Sequence, residues 1–172
     1  MDNILPGARS VLATTPTRWL SLAQALSTDL LSQPPAPEQW SPLECLQHLV
    51  DTEQVFHFRV QAFLAGQDFP AFDPISQGTK LNAYQSAIDL AEEFARLRRD
   101  GLALLAQIEP SDLQRQVRHE ELGLVTLGEM VHEWAAHDLN HTVQAERAMM
   151  QPFIEGCGPW QVYFAEHLVN HA

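Results

Sequence analysis

Residues 126–150 read TLGEMVHEWAAHDLNHTVQAERAMM, and this stretch decides the predicted fold and site. Its apolar residues recur three and four positions apart, which is the spacing of an amphipathic α-helix. Thr126 and Glu129 predict a capping box at the start of this helix, and Pro152 is expected to end it. One stripe of the helix contains Leu127, Met130, Val131, Trp134, His141, Ala145, Ala148 and Met149.

Two histidines of this helix are spaced as metal ligands. His137 and His141 are four residues apart, so their side chains are neighbours on one helix face, with about 5–6 Å between Cβ atoms. Two imidazoles at this spacing can hold one metal ion, as in H-E-x-x-H zinc sites. Here the sequence is H-D-L-N-H, and without the glutamate it does not support a metalloprotease of that class.

A catalytic zinc site of this kind needs a third protein ligand and an open position for water. His48 is the best candidate, in a predicted second helix that starts at Ser41, has Glu44 as its capping-box partner and ends near Gly66. We therefore predict that His48, His137 and His141 are the metal ligands. Ordinary hydrogen-bonding roles are expected for His57, His119, His132, His167 and His171.

Two more helices are predicted from start signals and apolar spacing. The first covers residues 15–31, because Thr15 and Pro16 form a typical helix start, and residues 1–14 are then a loose leader. The third covers residues 81–108. The side chains expected to face water on the third helix are Arg96, Arg98 and Arg99.

The fold class that follows is all-α. Residues 112–125 predict only a short extended or turn segment around Gly123, and a last short helix is predicted after the GPW sequence at 158–160. Four main helices and one short C-terminal helix predict a four-helix bundle, in a single domain that covers residues 1–172. Cores of such bundles commonly hold metal sites built from facing helices.

Composition excludes several functional classes. The chain has 172 residues with ten Lys and Arg against 22 Asp and Glu, a formal net charge of −12, which argues against a nucleic-acid partner. No apolar run is long enough for a membrane span, and the N-terminus lacks the pattern of a signal peptide. Cys45 and Cys157 form no C-x-x-C motif, and Cys45 is expected to be a small buried apolar residue. We expect a cytoplasmic protein.

Three stretches resemble one known family. They are WSPLECLQHLVDTE at 40–53, HEELGLVTLGEMVHEWAAHDLNHTVQAER at 119–147, and GPW at 158–160. Together they resemble the DinB family of the DinB/YfiT-like metalloenzyme superfamily, over about residues 15–170. In that family the second helix gives one histidine and the fourth gives an H-x-x-x-H pair.

The resemblance implies an up-down-down-up four-helix bundle with a divalent metal ion, often nickel or zinc, at one end. Its metal ligands carry over as His48, His137 and His141. The resemblance also implies a homodimer and a small-molecule substrate. Relatives of this kind include transferases and isomerases that use a low-molecular-weight thiol, bacillithiol or mycothiol, and a metal-dependent hydrolase.

Three functions are consistent with the sequence. The first is a divalent-metal-dependent enzyme, either a thiol S-transferase or a hydrolase, with Glu44 and Asp138 as candidate proton-transfer residues. Asp138 could instead orient a histidine ring or form a salt bridge to a neighbouring helix. The second is a non-catalytic metal-binding protein of a stress response. The third is a helical interaction module without a metal, which requires His48 to lie far from the pair.

A second, weaker apolar stripe on the fourth helix concerns the oligomeric state. It contains Leu139, Val143 and Met150, and it also includes His132. A helix that is apolar on two sides is buried on two sides. The sequence leaves open whether a second subunit or the C-terminal segment of the same chain covers this stripe.

Overall fold

The computed structural model describes residues 4–81 and 86–169. Its α-helices and strands have the following bounds: α1 Leu5–Ala25, α2 Thr28–Ser32, α3 Pro42–Ala65, α4 Pro74–Gln77, α5 Ala87–Leu105, β1 Gln116–His119, β2 Gly123–Thr126 and α6 Leu127–Gly156. Two 3-10 helices, Pro110–Gln114 and Gly158–His167, precede β1 and follow α6. Among these residues, no helix is long and apolar enough to cross a membrane.

The four long helices α1, α3, α5 and α6 form a bundle with up-down-down-up topology. Both α1 and α3 pack against α5 and α6. Side-chain contacts along the helices give their directions: α1 is parallel to α6 and antiparallel to α5, while α3 is parallel to α5 and antiparallel to α6. Because α3 and α5 are parallel, the chain must return between them, and this connection carries α4 past the end of the bundle that holds the histidines.

The helix starts follow local capping chemistry. Ser41 accepts from the backbone N–H of Glu44, and the Glu44 carboxylate accepts from the N–H of Ser41 at 2.7 Å, which confirms the predicted capping box. The same arrangement joins Thr126 and Glu129 at the start of α6. Gly66 ends α3 in the left-handed region at φ 68°, where a residue without Cβ is favoured.

The core consists of two apolar clusters, one toward each end of the bundle. One is centred on Trp134 and Phe63, and the other on Trp19 and Phe94. Cys45 belongs to the second cluster and is fully buried, which raises the pKa of its thiol to about 12 and makes it unreactive. The prediction of a small buried apolar residue at this position is confirmed.

The loose leader predicted for residues 1–14 is wrong. Helix α1 begins at Leu5, and its first turns bury Leu5, Ala8 and Leu12 in the core. Pro16 therefore lies inside the helix and cannot donate a hydrogen bond to the carbonyl of Leu12. The structure compensates for this loss because that carbonyl accepts a hydrogen bond from Arg98 at 3.0 Å.

The predicted end of α6 at Pro152 is also wrong. The helix continues to Gly156, because the turn beyond the proline buries Ile154 at 2% exposure against the bundle. Burial of an isoleucine side chain contributes about 1.5–3 kcal/mol, which is of the same order as the cost of one proline in a helix, about 3 kcal/mol. The last predicted helix is a 3-10 helix, and its aromatic residues Trp160 and Tyr163 remain 66% and 77% exposed.

The water-facing position predicted for Arg98 is wrong, although its neighbours Arg96 and Arg99 are exposed as expected. Arg98 is 1% exposed and lies in the centre of the bundle. The predicted start of this helix at Leu81 is wrong, because Leu81 is not helical and α5 begins at Ala87 after its cap Ser86. Residues 82–85 lie outside the described residues. Helical spacing alone could not show that carboxylates from two other helices meet Arg98.

A short hairpin of β1 and β2 confirms the extended segment around Gly123, which turns with φ 77°. The second stripe of α6 is uncovered: Leu139 is 52% exposed and Val143 is 64% exposed. The described part of the C-terminal segment, up to Val169, therefore does not bury these two residues, and the homodimer stays a prediction.

Candidate metal centre

Three histidines from two helices converge at one end of the bundle. His48 lies on α3, and His137 and His141 lie one turn apart on α6. One ring nitrogen of each lies within 4.8 Å of the others. The Nε2 atoms of His48 and His137 are 3.0 Å apart, and the ring centroids of His48 and His141 are 4.5 Å apart. The reading without a metal required His48 to lie far from the pair, and it does not.

Burial keeps these rings neutral. Loss of hydration, followed by the nearby His141, lowers the pKa of His48 to about 4. The same two causes, with His48 and the more distant Arg98 and Arg59, lower the pKa of His137 to about 3. Burial also lowers the pKa of His141. At neutral pH each imidazole therefore offers a lone pair rather than a positive charge.

One ring has a fixed tautomer. The Nδ1 atom of His141 lies 2.8 Å from the side-chain oxygen of Gln144, which can only accept, so Nδ1 carries the proton. The lone pair of His141 is then on Nε2, which leaves this nitrogen as the one that can bind a metal. Metal-binding histidines commonly have such a partner on the second nitrogen. The buried Nδ1 of His137 has no hydrogen-bond partner within the described residues.

The donor set fits a divalent metal ion. Three neutral imidazoles are the ligand type that such ions accept, with zinc–nitrogen distances of about 2.0–2.1 Å. Without a cation, the Nε2 atoms of His48 and His137 satisfy each other only if one of them carries its ring's proton, so the desolvated cluster holds more lone pairs than donors. Within residues 4–81 and 86–169, no cysteine or carboxylate joins the cluster, so three protein ligands would leave a coordination position open.

A cavity of about 340 Å³ opens beside the three rings. Aromatic side chains form much of its wall: Trp40 lies 4.8 Å from the His48 ring, and Phe56 meets the His137 ring edge-on at 5.5 Å. Phe72 and Pro74 enter from the connection that follows α3. Two charged residues, Arg59 and Glu133, line the same cavity. A small molecule can reach the histidines through this space.

A buried ion network lies directly behind the site. Arg98 donates to both oxygens of Asp138, at 2.5 and 2.8 Å, and to both oxygens of Glu53, at 2.8 and 2.7 Å. Trp134 also donates to Glu53, at 3.1 Å. Burial alone would raise the pKa of Glu53, but the hydrogen bonds from His57 and Arg98 hold it below its usual value. The network joins α3, α5 and α6 at the level of the histidines.

The structure separates the two candidate proton-transfer residues from the ligands. Asp138 is 1% exposed with both oxygens bound by Arg98, so it is the salt bridge that the sequence left open and has no access to the cavity. Gln144, and not Asp138, orients a histidine ring. Glu44 is exposed and is used in the capping box of α3, although it borders a neighbouring groove together with His48. Its proton-transfer role stays a prediction.

The other histidines lie away from the cluster. His57 is near Glu53 on the far side of α3, at 3.4 Å, and His132 is exposed on α6. His119 lies on β1, and the backbone oxygen of His167 accepts from Arg147 and Gln151. His171 lies outside the described residues.

The cavity residues that sequence reasoning missed include Trp40, Arg59 and Glu133. One signal was available for Glu133, because it lies four residues before His137 on the same helical stripe. Arg59 lies three turns after His48 on α3, also at a spacing that returns to one face. Trp40 precedes the helix, and nothing in its spacing indicates that its ring covers His48.

Two solved structures share this architecture. YfiT from Bacillus subtilis, described as a probable metal-dependent hydrolase with an unusual four-helix bundle topology, has a TM-score of 0.76 over 89% of both chains at 15% sequence identity. A DinB-like protein of Bacillus subtilis, YjoA, has a TM-score of 0.58 at 18% identity, over 86% of this chain and 92% of its own. No curated protein matches this sequence. At these identities the likeness establishes the shared fold.

The family is established by sequence. The model of the DinB superfamily matches residues 12–145, which include α3, the hairpin and the first two-thirds of α6. The matched segment contains all three converging histidines. The chain belongs to the DinB superfamily.

Proposed function

We propose that this protein is a metal-dependent hydrolase of a small molecule, with a divalent ion held by His48, His137 and His141. The observation that carries the proposal is the meeting of three neutral imidazoles, within 4.8 Å, at the wall of an open cavity. The likeness to YfiT, described as a probable hydrolase of this type, supports the same reaction class. A divalent ion bound there would supply Lewis-acid activation, which can lower the pKa of a water molecule to about 7.

The chain's own residues prepare the site for that chemistry. The three rings are uncharged at neutral pH, so no protons must leave before a cation binds. Gln144 holds the proton of His141 on Nδ1 and keeps Nε2 free. The Arg98 network fixes α6 against α3 and so fixes the separation of His48 from the pair. Trp40 and Phe56 limit the access of bulk water.

The same site also fits the second candidate, transfer of a low-molecular-weight thiol. A specific observation favours it: Asp138 is bound by Arg98, and within residues 4–81 and 86–169 no carboxylate belongs to the cluster of three rings, where a base would have to contact a metal-bound water. A thiolate already deprotonated in the site would need no such base. The two reactions thus differ in what takes the open position, water or sulfur.

Cobalt substitution separates these functions. We expect the full-length chain loaded with Co²⁺ to show the intense visible bands of a site with four or five ligands. Addition of azide should change those bands, since an open position exchanges its ligand. A sulfur-to-cobalt charge-transfer band on addition of a small thiol would favour thiol transfer, and azide sensitivity without that band would favour hydrolysis.

Matched variants make the assignment specific. His137→Ala should abolish the visible bands, whereas His132→Ala, on the exposed face of the same helix, should leave them unchanged. Bands that respond to neither azide nor thiol would indicate a closed coordination sphere. That result would contradict both enzymatic proposals and support a non-catalytic metal-binding protein.

A further inference from the structure

Arg59 and Glu133 are oppositely charged side chains that line the same cavity as the histidines. Arg59 lies on α3 and Glu133 on α6, and each charge acts on the pKa of the other. Within residues 4–81 and 86–169, neither forms an ion pair. Several other arginines do meet a carboxylate: Arg18, Arg96, Arg98 and Arg115. Two unpaired, opposite charges beside a cavity are available to a ligand.

Arg59 is held in position without being neutralised. Its guanidinium lies 5.3 Å above the centre of the Phe69 ring and 3.4 Å from Nε2 of His119. Nδ1 of His119 accepts from the backbone N–H of Glu121 and Leu122, at 3.1 and 3.3 Å. The proton of the neutral ring is therefore on Nε2, and that atom cannot accept from Arg59. Burial lowers the pKa of Arg59, but a guanidinium remains charged at neutral pH.

Glu133 supplies the opposite charge at the same level of the groove. Side chains on a helix lean toward its N-terminus. Because α3 and α6 are antiparallel, Arg59 leans back toward His48, and Glu133 leans away from His137 toward the level of Arg59. Loss of hydration raises the pKa of Glu133, and the charge of Arg59 opposes that shift. A ligand cation beside Glu133 would favour its ionised form.

We infer that Arg59 and Glu133 bind the carboxylate and the ammonium of an α-amino-acid end group. This group carries both charges on one carbon, so it can bridge two side chains that stand too far apart to pair directly. It also explains why neither charge forms an ion pair within the part of the chain that the structure describes. The inference rests on the proposed function for the reaction, and it adds the class of substrate.

The distance of the two charges from the histidines also sets the length of the substrate's side chain. Glu133 precedes His137 by four residues, about 6 Å along the helix axis. The wall between them is largely apolar, with Val55, Phe56 and Phe72. The substrate is therefore an α-amino acid whose side chain spans several bonds before the group that reacts at the histidines. Short amino acids would bind at one end and leave the histidines unreached.

Three small probes separate the two charges. Norleucine carries both, hexanoate lacks the ammonium, and pentylamine lacks the carboxylate, while the alkyl chain is nearly constant. We expect norleucine to bind the full-length, zinc-loaded protein at least about tenfold more tightly than either single-charge probe in isothermal titration calorimetry. One additional charged hydrogen bond contributes about 1.5–3 kcal/mol, and 1.4 kcal/mol is a factor of ten.

Charge-removing variants assign each half of the site. Arg59→Gln should lower the affinity for norleucine and for hexanoate by at least about tenfold and leave the affinity for pentylamine unchanged. Glu133→Gln should lower the affinity for norleucine and for pentylamine and leave the affinity for hexanoate unchanged. Arg99→Gln is the matched control, since this exposed arginine on α5 is outside the cavity and the substitution changes the net charge equally. Circular dichroism and thermal unfolding confirm that each variant is folded.

Three results would overturn the inference. The first is equal affinity for norleucine and hexanoate, which would indicate a site for an anion alone. The second is norleucine binding that neither cavity variant changes, as chelation of the zinc by the amino acid itself would give. The third is no binding of norleucine at millimolar concentration. Zinc content measured on the same samples shows whether the metal site has failed as well.

Discussion

The Nε2 atoms of His48 and His137 lie 3.0 Å apart, although 89 positions separate these residues in the sequence. Two neutral rings at this distance share one proton, with one nitrogen donating and the other accepting. The Nε2 of His141 is the nitrogen of that ring that can bind a metal, because its Nδ1 is bound by Gln144. When the donating ring carries its proton on Nδ1 instead, its Nε2 lone pair also becomes available to a cation, which is why we place the metal here.

Gln144 provides a prediction about metal affinity. Gln144→Ala removes the acceptor for Nδ1 of His141 and frees the ring to rotate and change tautomer. We expect zinc affinity to fall by about 10–100-fold, the usual effect of losing such a partner. Competition with a chromophoric chelator measures this change.

The conservative variant Gln144→Glu keeps an acceptor at the same position and should retain the affinity. Equal zinc affinity in Gln144→Ala and the unaltered protein would contradict the role of Gln144.

The buried network provides a prediction about stability. Arg98→Met leaves the carboxylates of Glu53 and Asp138 buried without their cation. Breaking a buried ion pair on one side costs about 3–5 kcal/mol, so we expect a loss of that order in the free energy of unfolding measured with urea. Arg96→Met, an exposed position on the same helix, is the control and should change stability by less than about 0.5 kcal/mol. Similar costs for the two substitutions would show that the network does not stabilise the fold.

The start of α1 provides a second test of stability. Leu12 is fully buried, so Leu12→Ala should cost about 2–5 kcal/mol. The matched substitution Leu139→Ala removes a side chain that is 52% exposed and should cost much less. Equal, small losses in chemical unfolding would instead support a loose leader.

The lowered pKa values predict how stability depends on pH. In the folded, metal-free chain the pKa of His48 is about 4 and that of His137 about 3, below the ordinary value of 6.5. Between pH 6.5 and about 4 the unfolded chain therefore binds more protons than the folded chain. Stability rises with pH in this window, so it should fall as the pH is lowered from 7 to 5.

Unfolding with urea at a series of pH values measures this dependence. Other groups also titrate between pH 4 and 6.5, so the unaltered chain is compared with the double variant His48→Gln/His137→Gln. In this variant the free energy of unfolding should change less steeply with pH. His132→Gln, at an exposed position, should retain the full slope. If the free energy of unfolding of the double variant depended on pH as steeply as that of the unaltered chain, the rings at positions 48 and 137 would not be neutral and desolvated in the folded state.

The sequence was most informative where one local pattern sufficed. Periodicity predicted α3 and α6, and capping residues located their starts at Ser41 and Thr126. The convergence of His48 with the α6 pair followed from family resemblance and from the need for a third ligand. These predictions required no knowledge of how distant helices pack.

The errors arose where tertiary contacts outweigh local signals. Pro16 normally marks a helix start, but Arg98 satisfies the carbonyl that it leaves free, so the helix extends back to Leu5. From the sequence alone Arg98 is expected to face water, because only the tertiary structure places Glu53 and Asp138 beside it. For the same reason the shape of the cavity could not be predicted, because it depends on how α3, α6 and the connection that follows α3 pack together.

The most direct test of the account is the metal content of the untagged, full-length chain, measured by plasma mass spectrometry. The account predicts about one equivalent of a divalent metal, lost in His48→Ala, His137→Ala and His141→Ala and retained in His132→Ala. No metal in the unaltered chain after reconstitution with zinc, nickel or manganese, or equal loss in His132→Ala, would contradict it.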